Sequence, residues 1–227
     1  FIDMKSNTTV CINKTKYLLE SEITCGSQGV VYNAVNLETE ENVVVKIINL
    51  TNDDKLRYYN IETNAILDTE PWNYEYLVNY ILFCEEGEYG YIVMEKYDGD
   101  LFDFIIGKKE PISEDFGKSI FQKICIGLEN MHSSGVAHLD IKLENIMFNI
   151  DTSTPYIGDF GACYYFKDSE KCSSVRGTDA YSPPEYAKKY SFDARKSDIY
   201  SLGVTLHAML TKIYPYNINK ELGKRKI

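Results

Sequence analysis

No apolar run in the 227-residue chain approaches the ~20 residues that cross a bilayer, and none has the form of a signal h-region. No membrane span or membrane partner is expected. The six cysteines are scattered, without a C-x-x-C pair, which excludes a zinc ribbon and gives no disulfide framework. They read as reduced thiols in a cytoplasmic protein. Basic residues are in deficit. Lys and Arg number 24 against 34 Asp and Glu, a net charge of −10, which argues against nucleic acid and against anionic membrane surfaces. Histidine is scarce, and His132 and His207 lack any metal-ligand spacing, so both read as ordinary helix residues. There is no internal repeat and no low-complexity tract. The N-x-T sequons at Asn7, Asn13 and Asn49 read as chance matches in an Asn-rich chain. The first residue is Phe1 rather than Met, which suggests a piece of a longer protein.

What is present is a globular chain, 44% apolar and 26% charged, long enough for one or two small lobes. Residues 1–16 are polar, Asn/Thr-rich and unpatterned, and read as a lead-in. A strand pattern opens at Tyr17. Gly26-Ser27-Gln28-Gly29 then sits between two β-rich runs, as an ordinary glycine hairpin or as a turn whose backbone can approach a phosphate closely. In the β-branched run Val43–Ile48, Lys46 lies about twenty residues after Gly26. A lysine in such a strand is usually at a solvated edge; here it can instead pair with phosphate oxygens. Asn52-Asp53-Asp54 starts a helix reaching about Leu67, with Glu62 as the counter-charge Lys46 would need if partly buried. Two strand runs follow, over 77–84 and 89–95.

Asp98-Gly99-Asp100 breaks this pattern and marks the boundary between a first lobe, 17–97, and a second, 98–227. The second lobe begins with a short helix over 101–106. A long one then starts at Ser113 and ends near Gly135, with Phe116, Ile120, Ile124, Leu128 and Met131 at helical spacing. His138-Leu139-Asp140-Ile141-Lys142-Leu143-Glu144-Asn145 comes next. By itself it matches a polar turn. Its acid, cation and amide are also the three groups that phosphoryl transfer asks of a protein. Asp159-Phe160-Gly161 follows Asn145 by fourteen residues, beyond a hairpin, and adds a second carboxylate. A surface loop is expected over 162–180. The run 197–210 is apolar on nearly all sides and is expected to be a buried helix, with Asp198 near its start capping or bonding the backbone of the 138–145 loop.

In this order the pieces resemble the eukaryotic protein kinase family, from Tyr17 to Tyr216. The resemblance implies an α+β, bilobal kinase fold. Its N-lobe would be an antiparallel sheet plus one helix, its C-lobe mainly helical, with MgATP in the cleft. Gly26 and Gly29 would belong to the loop over the phosphates. Lys46 would hold the α- and β-phosphates, paired with Glu62. Glu95 and Tyr97 would offer hinge backbone to adenine behind Met94, and Asp100 would sit near the ribose. Val31 and Met147 complete the nucleotide-binding set. Asp140 would orient the substrate hydroxyl and accept its proton, Lys142 would steady the γ-phosphoryl, and Asn145 and Asp159 would ligate Mg2+. His138 and Phe160 would be packing elements. Lys142, with Thr178 before Pro183-Pro184-Glu185, looks like the serine/threonine branch, and His138-Leu139-Asp140 is similar to the myosin light chain kinases of the calmodulin-dependent group.

The implied activity is transfer of the ATP γ-phosphoryl to Ser/Thr hydroxyls of protein substrates. Asp100 and Glu144 would favour basic residues upstream of the phosphorylated position. The alternatives are a pseudokinase or partner-dependent regulatory module, and a small-molecule kinase. Lys46, Asp140 and Asp159 speak against the former, and the stretch 177–185 against the latter. Thr24 replaces a loop glycine, Val44 a small residue over adenine, and Leu139 the arginine that pairs with phosphorylated activation loops in many kinases. The C-lobe looks shortened, since the family continues for several helices past Tyr216. Either the sequence is incomplete, or Glu185 finds a different partner, or the second lobe is weakened.

Overall fold

A computed structural model describes residues 7–26, 28–69, 74–166, 171–188, 191–215 and 217–221. The first six residues of the lead-in, Ser27 of the glycine turn, Lys167 and Tyr216 lie outside the described residues. The chain divides into two compact units, Phe1–Ile66 with Val78–Lys96, and Leu67–Leu77 with Tyr97–Ile227. The architecture is α+β, as expected: one unit built on an antiparallel sheet and one mainly helical.

The first unit holds β1 (Thr8–Ile12), β2 (Thr15–Gly26), β3 (Gly29–Asn36), β4 (Asn42–Asn49), α1 (Asp53–Thr69, its last residues grouped with the second unit), β5 (Tyr80–Glu86) and β6 (Tyr89–Glu95). The strands form one sheet in the order β1-β2-β3-β4-β6-β5, every pair antiparallel. Strand β1 corrects the unpatterned lead-in. Val10 and Ile12 alternate inward, and Asn13 and Lys14 both take positive φ (48° and 72°), which is the turn geometry that closes a two-residue hairpin. On β4 the two-residue period sends Val43, Val45 and Ile47 into the core with Leu19, Tyr32 and Val93. That leaves Lys46 on the other face. The β2–β3 turn is closed by the pair Gly26–Gly29. At Gly29, φ is +146° and an added Cβ would lie 2.5 Å from the Ile47 carbonyl oxygen, so only glycine lets β3 start this close to β4.

The second unit contains β7 (Gly99–Asp100), α2 (Leu101–Gly107), α3 (Glu114–Ser133), β8 (Val136–Ala137), β9 (Ile146–Asn149), β10 (Thr154–Ile157), β11 (Tyr164–Tyr165) and α4 (Ala194–Thr211). The side chains of Asp100, Ser113 and Asp193 cap α2, α3 and α4. Strands β10-β9-β7 form one small sheet and β11-β8 another. Gly135, just beyond α3, has φ 84°, the left-handed turn that reverses the chain into β8. Helix α4 differs from its expected all-round burial. Leu202, Val204, Ala208 and Met209 are buried, yet Ile199 is 58% exposed and Gly203 is exposed on the opposite side. Among the described residues that side meets no packing element. The 162–180 loop is also more anchored than expected, because Cys172 is fully buried.

Candidate active site

In the first unit the side-chain period of β4 and the amphipathic turn of α1 bring Lys46 and Glu62 together. Lys46 Nζ lies 2.7 Å from Glu62 Oε2, and the two residues are only 6% and 1% exposed. Lys46 Nζ also donates to Gln28 Oε1 at 3.3 Å, which ties the lysine to the glycine turn. Val31 pairs with Lys46 across β3–β4. Where Gly29 is sterically required, Gly26 is not: a Cβ there would meet no chain atom within 4 Å. Glu95 ends β6, where its N–H donates to Asn79 O at 3.0 Å and its carboxylate accepts from Asn79 Nδ2 at 3.4 Å.

The second unit assembles the other predicted residues around Asp140. Its Oδ1 accepts from Thr178 Oγ1 at 2.9 Å, and its Oδ2 accepts from Asn145 Nδ2 at 2.9 Å and lies 3.0 Å from Lys142 Nζ. Lys142 Nζ also donates to Thr178 Oγ1 at 2.9 Å, closing a ring of three side chains. Asn145 spends its other N–H on the Asp140 carbonyl at 2.9 Å, which leaves its Oδ1 as the acceptor. The sequence reading used Thr178 only as a branch marker and missed this contact.

Asp159 is held beside this loop by its neighbours. Gly158 N donates to Asn145 O at 2.9 Å, and Gly158 O accepts from His138 Nε2 at 2.9 Å. His138 Nδ1 accepts the Asp140 N–H at 3.1 Å, so the network selects the Nε2–H tautomer. Phe160 is buried edge-on to His138, with centroids 5.9 Å apart and planes at 90°. Asp159 itself is left-handed (φ 58°, ψ 75°).

The loop is anchored from α4. Asp198, fully buried, accepts the His138 N–H at 2.8 Å and the Leu139 N–H at 2.7 Å. Leu139 has φ 61°, a conformation that costs a branched side chain about 1–3 kcal/mol, and these bonds offset it. His132 Nε2 donates to the same carboxylate at 2.8 Å. That corrects the reading of His132 as an ordinary helix residue. Its pairing spans 66 residues, which no local spacing could signal.

Tyr97 packs against Tyr156, with centroids 4.7 Å apart, and Met147 pairs with Asp100 across β9–β7. Asp100 Oδ1 accepts from Asp103 N at 2.8 Å as the cap of α2. Burial pushes its carboxyl up to about 6, opposed by that backbone bond and reinforced by the charges of Asp103 and Glu144. Glu144 accepts from Tyr181 Oη at 3.4 Å.

The protein kinase domain family matches residues 17–227. The chain belongs to the protein kinase family. Among curated relatives, this kinase chain is 30% identical over 226 residues to the DNA damage response protein kinase DUN1 of Saccharomyces cerevisiae, covering 89% of this chain and 44% of that protein. It is 32% identical over 219 residues to the probable serine/threonine-protein kinase 2 of Plasmodium falciparum (94% and 42%). To human serine/threonine-protein kinase D3 it is 27% identical over 205 residues (87% and 22%). The kinase chain spans less than half the length of these relatives. Among its described residues no helix is long and apolar enough to cross a membrane, and no group of three or more His, Cys, Asp or Glu could hold a metal ion.

A buried ion pair of the Lys46–Glu62 kind makes a stability prediction that is independent of activity. Lys46→Met removes the cation paired with the buried Glu62 carboxylate, and is expected to cost about 3 kcal/mol or more in urea unfolding. Lys46→Met combined with Glu62→Leu is expected to recover most of that loss. Additive losses in the double variant would contradict the pairing.

Proposed function

We propose that the chain is a serine/threonine protein kinase that transfers the γ-phosphoryl group of ATP to Ser/Thr hydroxyls of protein substrates. The observation that carries this reading is the ring of Asp140, Lys142 and Thr178 closed by contacts of 2.9–3.0 Å, with Asn145 bonded to the same carboxylate. A carboxylate held this way has its oxygens fixed in direction. Asp140 orients the substrate hydroxyl and accepts its proton as attack proceeds. Lys142, already beside Asp140, supplies positive charge to the transferred group.

The residues fit ATP and Mg2+. Gly26 carries no side chain where the chain's own packing would allow one, which suits a backbone that lies against phosphate. Lys46 is a compact cation for phosphate oxygens, held at its post by Glu62. Val31, Glu95, Tyr97, Asp100 and Met147 would hold the rest of the nucleotide. Asn145 Oδ1 and the Asp159 carboxylate form a hard oxygen pair. Two such ligands suit Mg2+ bound together with phosphate oxygens, not a cage made by protein alone. When bound, MgATP supplies the phosphoryl group and neutralises its charge.

Basic residues upstream of the target hydroxyl suit the acidic pair Asp100 and Glu144; burial chiefly raises Asp100, and the Glu144 charge adds to it. The net charge of −10 favours the same substrates. The six free cysteines support a reducing compartment, consistent with the cytoplasm.

Transfer from MgATP to a mixed Ser/Thr peptide library, with wild type beside Asp140→Asn, tests the reading. Wild type is expected to label the library, and Asp140→Asn to lose about 10²-fold or more in kcat. Equal labelling by both would remove Asp140 from the chemistry, and no labelling by wild type would count against the activity.

Asp100 adds a pH dependence. With its carboxyl raised to about 6, it is mostly protonated at pH 5 and ionised at pH 7, so its attraction for a guanidinium grows as pH rises through that window. The kcat/KM ratio between an Arg-bearing peptide and its Ala analogue is expected to rise about threefold from pH 5 to 7. A flat ratio would separate Asp100 from substrate choice.

A further inference from the structure

The segment 171–178 lies three ways against the loops that carry Asp140 and Asp159. Cys172 is fully buried in an apolar cluster with Ala137, Leu139 and Phe192, and its backbone exchanges hydrogen bonds with Phe192 at 2.8 and 2.9 Å. Gly177 has φ +89°, and a Cβ there would collide with Leu139 O, so the segment's backbone lies directly on the 138–140 loop. Thr178 then reaches Asp140 and Lys142. Between these anchors, Arg176 points elsewhere. Its Nη1 donates to Ala162 O at 3.2 Å and to Cys163 O, and its Nε donates to Ser174 Oγ at 3.3 Å.

We propose that Arg176 is a positioning residue for phosphoryl transfer, a brace that ties the Thr178 segment to the turn following Asp159. Ala162 ends a single 3-10 turn that starts at Phe160, directly after Asp159. Carbonyls at such an end lack a partner within the turn, and a guanidinium both satisfies them and complements their dipoles. Charge-assisted bonds of this kind are the stronger class. Arg176 touches no reacting atom. It acts at both of its ends: through Thr178 it fixes the direction of the Asp140 carboxylate, and through Ala162 and Cys163 it fixes the exit of the Asp159 turn.

The packing explains why the cation comes from the segment itself. Leu139, only 3% exposed, presents an apolar surface to Cys172, so at this position the loop offers the segment packing and no cation. Arg176 supplies a cation from the segment's own side, and the brace consists of side chain and main chain alone. Segment 171–178 therefore needs no added phosphate to keep its place.

The inference rests on the roles given to Asp140 and Asp159 above, and two readouts keep the two apart. Steady-state transfer from MgATP to a basic Ser-containing peptide is compared in wild type, Arg176→Gln and Arg176→Lys, all dephosphorylated and matched for melting temperature. Amide hydrogen exchange over 160–178 is followed in the same three proteins. In Arg176→Gln, kcat is expected to fall about tenfold with peptide KM within about twofold, the loss of a charge-assisted tie and not of a substrate contact. Exchange over 160–166 and 171–178 is expected to quicken together. Arg176→Lys keeps donors for the two carbonyls and is expected to recover most of both effects. Unchanged kcat in Arg176→Gln beside an active wild type would overturn the inference, as would unchanged exchange or a lysine variant as slow as the glutamine one. A wild type without transfer would sink the activity reading instead, and the exchange comparison would still decide the brace.

Discussion

A buried carboxylate on α4 sets the shape of everything at the candidate site in the second unit. Asp198 is wholly enclosed and satisfied by three donors, the His138 and Leu139 amides and the His132 ring. A carboxylate removed from water must be bonded this fully or it costs several kcal/mol. Here the requirement is used. The same bonds hold Leu139 in a left-handed conformation, and that bend turns the next residue, Asp140, toward Lys142, Asn145 and Thr178. The polar ring is therefore the far end of a chain of constraints that begins in an interior helix.

The site elements in the two units follow different physical plans. In the first unit a strand period and a helix turn make one ion pair, and glycine is required where β3 starts against β4. In the second unit three residues at the centre of the site are held through the backbone of a neighbour: Asp159 through Gly158, Asp140 through Leu139, and Thr178 through Gly177. Side chains that do chemistry are thus placed by residues that do none. Such loops tolerate little change in backbone and more change in surface, which suits a family that keeps its reaction and varies its substrates.

How much of this was legible in the sequence depended on the range of the interaction. Local signals read well. The cap of α3, the turn at Gly135 and the placement of Lys46 in β4 all follow from spacing over a few residues, whereas Asp100 was not read as the cap of α2. The α+β architecture followed from the order of the motifs. Strand β1 was missed because Thr8 and Thr9 open it and Asn7 and Asn13 flank it, although Val10 and Ile12 alternate and Asn13-Lys14 suits a hairpin turn. His132 was misjudged because its partner lies in another helix. Asp198 was foreseen as bonding the loop backbone, but not the two amides it chooses. The segment near Arg176 read as a polar surface loop because its anchors, Cys172 on Leu139 and Arg176 on Ala162, exist only in three dimensions.

The central claim, that Asp198 imposes the geometry of the 138–145 loop, is tested most directly by amide hydrogen exchange at His138 and Leu139 in wild type and Asp198→Asn. Asparagine keeps one acceptor oxygen and turns an NH2 toward the remaining donors. Both amides are expected to be among the slowest of the second unit in wild type, and Asp198→Asn to quicken them about tenfold or more, the cost of an unsatisfied buried donor. Equal exchange in the two proteins would mean that the loop holds its bend without the carboxylate, and would contradict the role given to Asp198.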